Sequence, residues 1–457
     1  MGKKMTAIRF ATLALIGGGI CQSAYATNWF DIQTVSNPDW GYGKVIGFLE
    51  PSYTNFTTGT TLNGQTAYAN LVPTTGDTTD LIMQRARLFV RGSLNQDISY
   101  YVGTEAGENP YTYSFGSYAP RIIDANVTFS HYIPGVRVNV GIIRAPGPEG
   151  AMDGFMSFNF LDLFPTVIGQ MMQPTFYSKN VNYSTVSGAK FNPSGGYSVP
   201  GTDLSGNNGF RYPGVEAEDW FMVQPNLELA YGLMLADYGR QFESSTSNGP
   251  IAAGRLQLSY ILNKDAKTKF FRNDITGFVW YQQARPEFNG ISSPMVRDGL
   301  GATYRNGYMQ PGATSLKAEY MGGTGNIEAP PIFGVAPTLT AGQDQSTFYP
   351  GSNNRAYGYD ISSGLFVTNH VELNLRYDYY DRLPNLAAQE RIFKNVDAAV
   401  EYHLTPLSRV VVDYAFRSVD IPNPSAIGKP GSLPLNTADS VIGSIGNEFN
   451  IYAIFAF

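Results

Sequence analysis

The chain has 457 residues, with 31 basic against 37 acidic side chains, a formal net charge of −6, 49 glycines, 30 tyrosines and a single cysteine. A mildly acidic balance without runs of like charge argues against nucleic acid as a partner, and one cysteine excludes a disulfide framework. Beyond the amino terminus there is no stretch of about eighteen apolar residues, so hydropathy excludes helical membrane spans.

Residues 1–26 read as a secretory signal peptide. Lys3, Lys4 and Arg9 form the positive region, Phe10 to Ile20 an apolar stretch too short to span a bilayer, and Ala24-Tyr25-Ala26 a small-residue cleavage site. The mature chain is then expected to begin at Thr27, and Cys21 leaves with the leader. A lipoprotein anchor at Cys21 is the competing reading, but Ile20 stands where such a signal takes Gly or Ala. Residues 27–43 are expected to form a short periplasmic segment.

From residue 44 to 457 the pattern is one of strands. Val371, Leu373, Leu375, Tyr377 and Tyr379 share one face, while Glu372, Asn374, Arg376 and Asp378 share the other. The same alternation recurs at Val396 to Leu404 and at Val410 to Phe416. It returns in the last segment, Phe449 to Phe457, which ends on an aromatic residue, as is typical of outer-membrane barrels. A soluble β-sandwich also alternates, but the leader and the terminal Phe457 favour a membrane barrel.

About sixteen strands, within a range of 14–18, are predicted at 44–54, 82–94, 97–106, 121–132, 136–144, 218–224, 226–237, 251–262, 271–284, 297–306, 312–323, 355–367, 371–381, 393–404, 408–420 and 446–457. Counted from a periplasmic amino terminus, every second link is short, as in bacterial barrels. The predicted fold class is therefore all-β, a closed antiparallel transmembrane β-barrel in the bacterial outer membrane. An open sheet edge would leave backbone N–H and C=O groups unpaired in hydrocarbon. At this strand number the lumen is too wide for side chains alone to fill.

The longest link, 145–217, is the predicted constriction. It opens on Ala145-Pro146-Gly147-Pro148-Glu149-Gly150 and continues with an aromatic run containing Phe155, Phe158 and Phe160. So many aromatics are poorly suited to an exposed loop, and irregular backbone at membrane depth is tolerated where it lines a cavity or is buried in protein. Part of this loop is expected to fold into the lumen. The bland alternative is an aromatic patch buried against another subunit or under the other loops.

In the segment Gln84 to Gly92, alternation places Ala86, Leu88 and Val90 toward lipid and Arg85, Arg87 and Arg91 toward the lumen. Arg137 lies on the inner face of a nearby strand and Arg144 at its outer end. Basic side chains on a pore wall attract anions. Facing acids on the loop, Glu149, Asp153 or Asp162, would set a transverse field. The structural alternative is that these arginines pair with wall acids such as Glu105 and Asp124. Over the predicted lumen face, bases including Lys44, Arg255, Arg305, Lys317 and Arg376 nearly balance acids including Glu50, Glu228, Glu319, Asp360 and Glu372.

The Arg85-Ala86-Arg87-Leu88 strand with its Gly92, the following Tyr100 to Glu105, and the pair Ile123 to Val127 and Arg137 to Gly147 resemble the early hairpins of the phosphate-selective porin O and P family. The resemblance covers mainly 82–165. It implies a sixteen-stranded homotrimeric porin whose basic residues guide anions through a narrow lumen, with Arg85, Arg87 and Arg91 as the best-matched positions. A lysine ladder along the outer half of the wall is not found in this sequence.

No catalytic motif is present. His131, His370 and His403 are scattered, without metal-ligand spacing, and no cofactor, metal or enzymatic role is expected. The function expected is passive diffusion of small hydrophilic solutes or ions, with an anion preference of the phosphate type. Alternatives are a barrel for apolar small molecules, which would show a plugging amino-terminal segment, and a structural or adhesive barrel presenting loops 324–354 and 421–445. Expected partners are membrane lipid and lipopolysaccharide, and the barrel-assembly machinery through the Phe457 strand.

Overall fold

The computed structural model describes residues 30, 43–56, 79–109, 112–114, 117–154, 157, 159–161, 165–172, 184–185, 197–200, 210–238, 249–262, 272–288, 291–292, 294–329, 345–432, 435–436, 438–439, 442 and 446–457. Sixteen strands among these residues close into one antiparallel barrel. They are β1 (Lys44–Phe56), β2 (Thr79–Ser93), β3 (Ile98–Glu105), β4 (Arg121–Ile133), β5 (Val136–Arg144), β6 (Arg211–Gln224), β7 (Leu227–Asp237) and β8 (Pro250–Ile261). The ring continues with β9 (Asp274–Ala284), β10 (Met295–Asn306), β11 (Thr314–Thr324), β12 (Arg355–Phe366), β13 (Val371–Arg382), β14 (Arg391–Thr405), β15 (Ser408–Asp420) and β16 (Glu448–Ala456). Each strand pairs with the next in sequence, and β16 pairs with β1.

The side chains are sorted in the reverse of a water-soluble protein. In β8, Arg255, Gln257 and Ser259 are buried inside the ring while Leu256 and Leu258 are exposed outside it. In β13, Glu372, Asn374, Arg376 and Asp378 point inward while Leu373 and Leu375 face out. Leucine on an exposed outer belt over a charged interior is favourable only when hydrocarbon surrounds the ring. No helix among the described residues is long and apolar enough to cross a membrane.

The short links lie at one end and are built by local polar caps. Asn95 Oδ1 accepts from the backbone N–H of Asp97 and Ile98, both at 2.8 Å. Thr368 Oγ1 accepts from His370 and Val371 at 3.1 and 2.9 Å, and Thr405 Oγ1 from Leu407 and Ser408 at 3.2 and 3.0 Å. Such side-chain acceptors hold a turn without further residues, which sets the register of the strands on either side.

The long links lie at the other end. Between β5 and β6 runs the longest, containing the short helix α1 (Glu149–Met152) and a π-helical turn at Ile168–Met172. Its Ser184–Thr185 and Tyr197–Pro200 join Ile327–Ala329 and Gln345–Tyr349, from the β11–β12 link, in a four-stranded sheet.

Two expectations change. β6 begins at Arg211, so residues 211–217 are strand and the long link ends at 210. Pro213 and Gly214 read as breakers, yet Pro213 opposes Ile142 in a regular ladder, and Glu216 and Glu218 continue the inward face. Of the segment 27–43, Phe30 and Gly43 are described. Phe30 is wholly buried against Ala230 on the inner face of β7, so at this residue the chain is inside the ring and not a periplasmic tail.

The seam is closed by the last residue. Phe457 N–H donates to Gly47 O at 3.0 Å and Gly47 N–H to Phe457 O at 2.9 Å. A Cβ on Gly47 would stand 2.8 Å from the Phe457 ring, which lies over it. Deletion of Phe457, or Gly47→Val, is therefore expected to lower by about 5 °C or more the temperature at which the folded, fast-migrating species is lost on heated gels. An unchanged melting temperature in both variants would mean that the seam does not depend on this contact.

Candidate functional site

Inside the ring, the long link is fastened to the wall at points far apart around the circumference. Glu149 of α1 pairs with Arg255 of β8, and its backbone N–H donates to Glu319 of β11 at 3.0 Å. Asn159 Nδ2 donates to Asn374 Oδ1 of β13 at 2.8 Å, and Leu161 N–H to Asp413 Oδ2 of β15 at 2.8 Å. Thr166 N–H donates to Asp378 at 3.3 Å, and Arg297 Nε of β10 to Met171 O at 3.0 Å. All of these wall groups point inward, so Glu149, Asn159, Leu161, Thr166 and Met171 lie against the inner face of the ring. Near the long-link end, Val167, Ile168, Met171 and Met172 pack on Trp280, Met321, Tyr380 and Phe393. This burial holds the loop down by its apolar side while the hydrogen bonds satisfy its irregular backbone.

Below the loop, toward the short-turn end, a cavity of about 110 Å³ remains. The loop contributes Glu149, Asp153, Ser157, Asn159 and Phe160. The wall contributes Arg305, Lys317, Arg376 and Glu372, among hydroxyls and amides from Thr303, Thr314, Ser315, Ser362, Ser363 and Asn374. Lys317 Nζ lies 3.0 Å from Asp360 Oδ2, and Arg376 Nε 2.6 Å from Asp397 Oδ2, with its guanidinium 4.6 Å from the Phe160 ring centre. The cations thus line the cavity while leaning on acids of their own strands' neighbours. Burial, with the charge of Glu149 beside it, pushes the Asp153 carboxyl up to about 7, against the opposing pull of Lys317, Arg305 and Arg255.

The arginines singled out in the sequence stand elsewhere. Arg85 pairs with Glu50 and also donates to Leu161 O at 3.4 Å, beneath the loop. Arg87 Nε lies 2.6 Å from Glu105 Oε2, and Arg91 is buried 5.7 Å from the Tyr101 ring centre. Arg137 lies 3.7 Å from the Trp220 ring centre and 3.4 Å from Asp219. Arg144 donates to the carbonyls of Met152 and Asp153 at 2.9 and 2.8 Å, fixing the end of α1. Of the loop residues, Glu149, Asp153 and Phe160 meet at the cavity; Phe155, Phe158 and Asp162 lie outside the described residues. Arg305, Lys317 and Arg376 were legible as lumen-facing, but nothing local marked them as the cations beside the loop.

Glu372, Glu401 and His403 converge at the rim of this region, with His403 Nε2 3.1 Å from Glu372 and 3.5 Å from Glu401. Arg409 Nε sits 2.7 Å from the same Glu401 oxygen, so the positive charge these carboxylates require is supplied by the chain itself.

Residues 59–147 match the profile of the phosphate-selective porin O and P family. Among solved structures of similar fold, OmpF of Salmonella typhi in complex with daunomycin is 12% identical with a TM-score of 0.54, over 92% of this chain and 99% of that one. The outer membrane channel DcaP of Acinetobacter baumannii is 12% identical with a TM-score of 0.47, over 93% and 99%. An anion-selective porin from Comamonas acidovorans is 12% identical with a TM-score of 0.48, over 91% and 99%. No curated protein matches the chain. At 12% identity the likeness to OmpF concerns the barrel fold alone.

One consequence of the wall pairing is measurable. Glu50 is wholly buried beside Arg85, so Arg85→Ala removes the bonded partner of a buried carboxylate and is expected to destabilise the barrel by about 3 kcal/mol, much of it regained when Glu50→Gln is added. Urea unfolding in lipid vesicles reads this; a single variant as stable as its parent would show that the pair is not load-sharing.

Proposed function

We propose that this protein is an outer-membrane porin that lets small hydrophilic solutes diffuse passively through a lumen narrowed by the link between β5 and β6. The observation that carries the reading is the polar cavity between that link and the wall, with Arg305, Lys317 and Arg376 opposite Glu149 and Asp153. Opposed charges across a narrow wet passage orient dipolar solutes and lower the barrier for ions of either sign. Ion discrimination is modest, because acids and bases share the lining. Any anion preference is set by the cavity cations and not by Arg85, Arg87 and Arg91, which are committed to wall partners. The chain acts without enzymatic chemistry and assembles as a homotrimer, as the family resemblance implies.

Swelling of liposomes tests the reading. Sugars and amino acids of small size are expected to enter, and no swelling with any hydrophilic solute would favour the alternative barrel for apolar molecules. That alternative draws on the apolar cluster around Ile168 and on Phe30 inside the lumen.

Selectivity is tested by the reversal potential in a salt gradient. Replacement of Arg305, Lys317 and Arg376 by Ala is expected to shift it toward cations, while Arg91→Ala, which does not line the cavity, leaves it unchanged. An equal shift from Arg91→Ala would move the selector back to β2.

Asp153 adds a pH dependence. It is neutral below its raised pKa of about 7 and anionic above it, so the cavity gains a negative charge as pH rises. Between about pH 6 and pH 8 the reversal potential is expected to drift toward cation preference, and Asp153→Asn to flatten that drift. A drift that persists in Asp153→Asn would assign it to another group.

A further inference from the structure

The cavity under the link presents polar side chains that the chain itself leaves unanswered. Asp153, at the end of α1, lines it with its backbone fixed: the carbonyl accepts from Arg144 at 2.8 Å and the N–H donates to Glu149 O at 3.0 Å. Among the described residues, however, its carboxylate makes no hydrogen bond or ion pair. Ser157 lines the cavity too, and its Oγ is buried with no hydrogen-bond partner. On the wall, Lys317 leans on Asp360 Oδ2 at 3.0 Å, which engages one of the three donors of its ammonium. Of the cations that act on the Asp153 carboxyl, Lys317 acts most strongly and Arg305 next, yet neither closes an ion pair with it. The space among these groups, about 110 Å³, takes several waters or one solute of a few heavy atoms.

From this arrangement we propose that the cavity is a binding site for small zwitterions of the amino-acid type, with the solute's ammonium on Asp153 and Ser157 and its carboxylate on Lys317 and Arg305. The proposal rests on the porin reading above and deepens it, making part of the passage a site that fills and empties. The choice follows from charge. A bare cation would satisfy Asp153 but meet Lys317, Arg305 and Arg376 in the same space, and a bare anion would satisfy those bases but meet Asp153, Glu149 and Glu372. A neutral solute answers neither side. A molecule that bears both charges a few bonds apart pairs with each and adds no net charge to a confined space, so it escapes the repulsion that either ion alone would meet. Its ammonium has three N–H donors, enough for the Asp153 carboxylate and the Ser157 hydroxyl together. Phe160 lines the same space and offers an apolar surface to the carbon between the two charges. A site on a diffusion path raises flux at low solute concentration provided that it also empties readily.

The test uses the full chain in liposomes and a pair of isomers of equal size, free glycine, which is zwitterionic, and glycolamide, which is neutral. At about pH 8, above the Asp153 pKa of about 7, labelled glycine at low concentration is expected to enter about threefold faster or more than labelled glycolamide. Folded barrels that pass both at one rate would overturn the site while leaving the porin reading intact; barrels that pass neither would bring down both. Asp153→Asn and Lys317→Met, checked for folding by heat-modified gel mobility, are expected to bring the ratio of the two rates to about one. Ser157→Ala, whose hydroxyl holds no other part of the chain, is expected to lower the ratio about twofold. A ratio at the parent's value in folded Asp153→Asn would overturn the proposal. Competition in the parent reads the site without any variant: unlabelled glycine is expected to slow entry of the label more than acetate or methylammonium, each of which carries one of the two charges. Acetate competing as well as glycine would make this an anion site, and methylammonium doing so a cation site; either result refutes the zwitterion.

Discussion

A backbone N–H or C=O that faces hydrocarbon without a partner costs several kcal/mol, and a ring of strands is the one sheet that leaves none. Everything else in this protein is arranged around that closure. The antiparallel order requires short turns at one end, and Asn95, Thr368 and Thr405 supply their caps from within the sequence. Phe457 exchanges both backbone hydrogen bonds with Gly47 and so completes the ladder between β16 and β1.

Closure creates a second problem, because a ring this wide has an interior that side chains alone do not fill. Described residues of the link between β5 and β6, among them Glu149, Leu161 and Thr166, are bonded to the inner face and cover part of a wall built for water. Charges under the loop then need partners, which explains why Arg85 and Arg87 stand on Glu50 and Glu105. A buried guanidinium without a carboxylate would cost more than the loop's packing returns. The uncovered remainder, around Arg305, Lys317 and Arg376, lines the cavity.

The ring was largely legible in the sequence, because lipid outside and water inside impose a period of two on every strand. It was clearest in the carboxy-terminal third, from β13 to β15, where apolar or tyrosine side chains alternate with polar and charged ones. It failed at the start of β6, where Pro213 and Gly214 mimic a loop although the ladder passes through them. The face of Arg85, Arg87 and Arg91 was read correctly, but their roles were not decided by face. What decides them is the register with Glu50 and Glu105 and the cover from Leu161, contacts that join residues distant in sequence. Phe30 was not singled out in the sequence, because its seat is made by a residue some two hundred positions away, Gly232.

The most direct measurement is the current through single molecules of the unmodified protein in a planar bilayer. A hollow ring with a loop held across it predicts a steady ohmic step, small for so wide a barrel and only weakly selective between cations and anions. A silent bilayer, or a large current that admits one sign of ion alone, would contradict it.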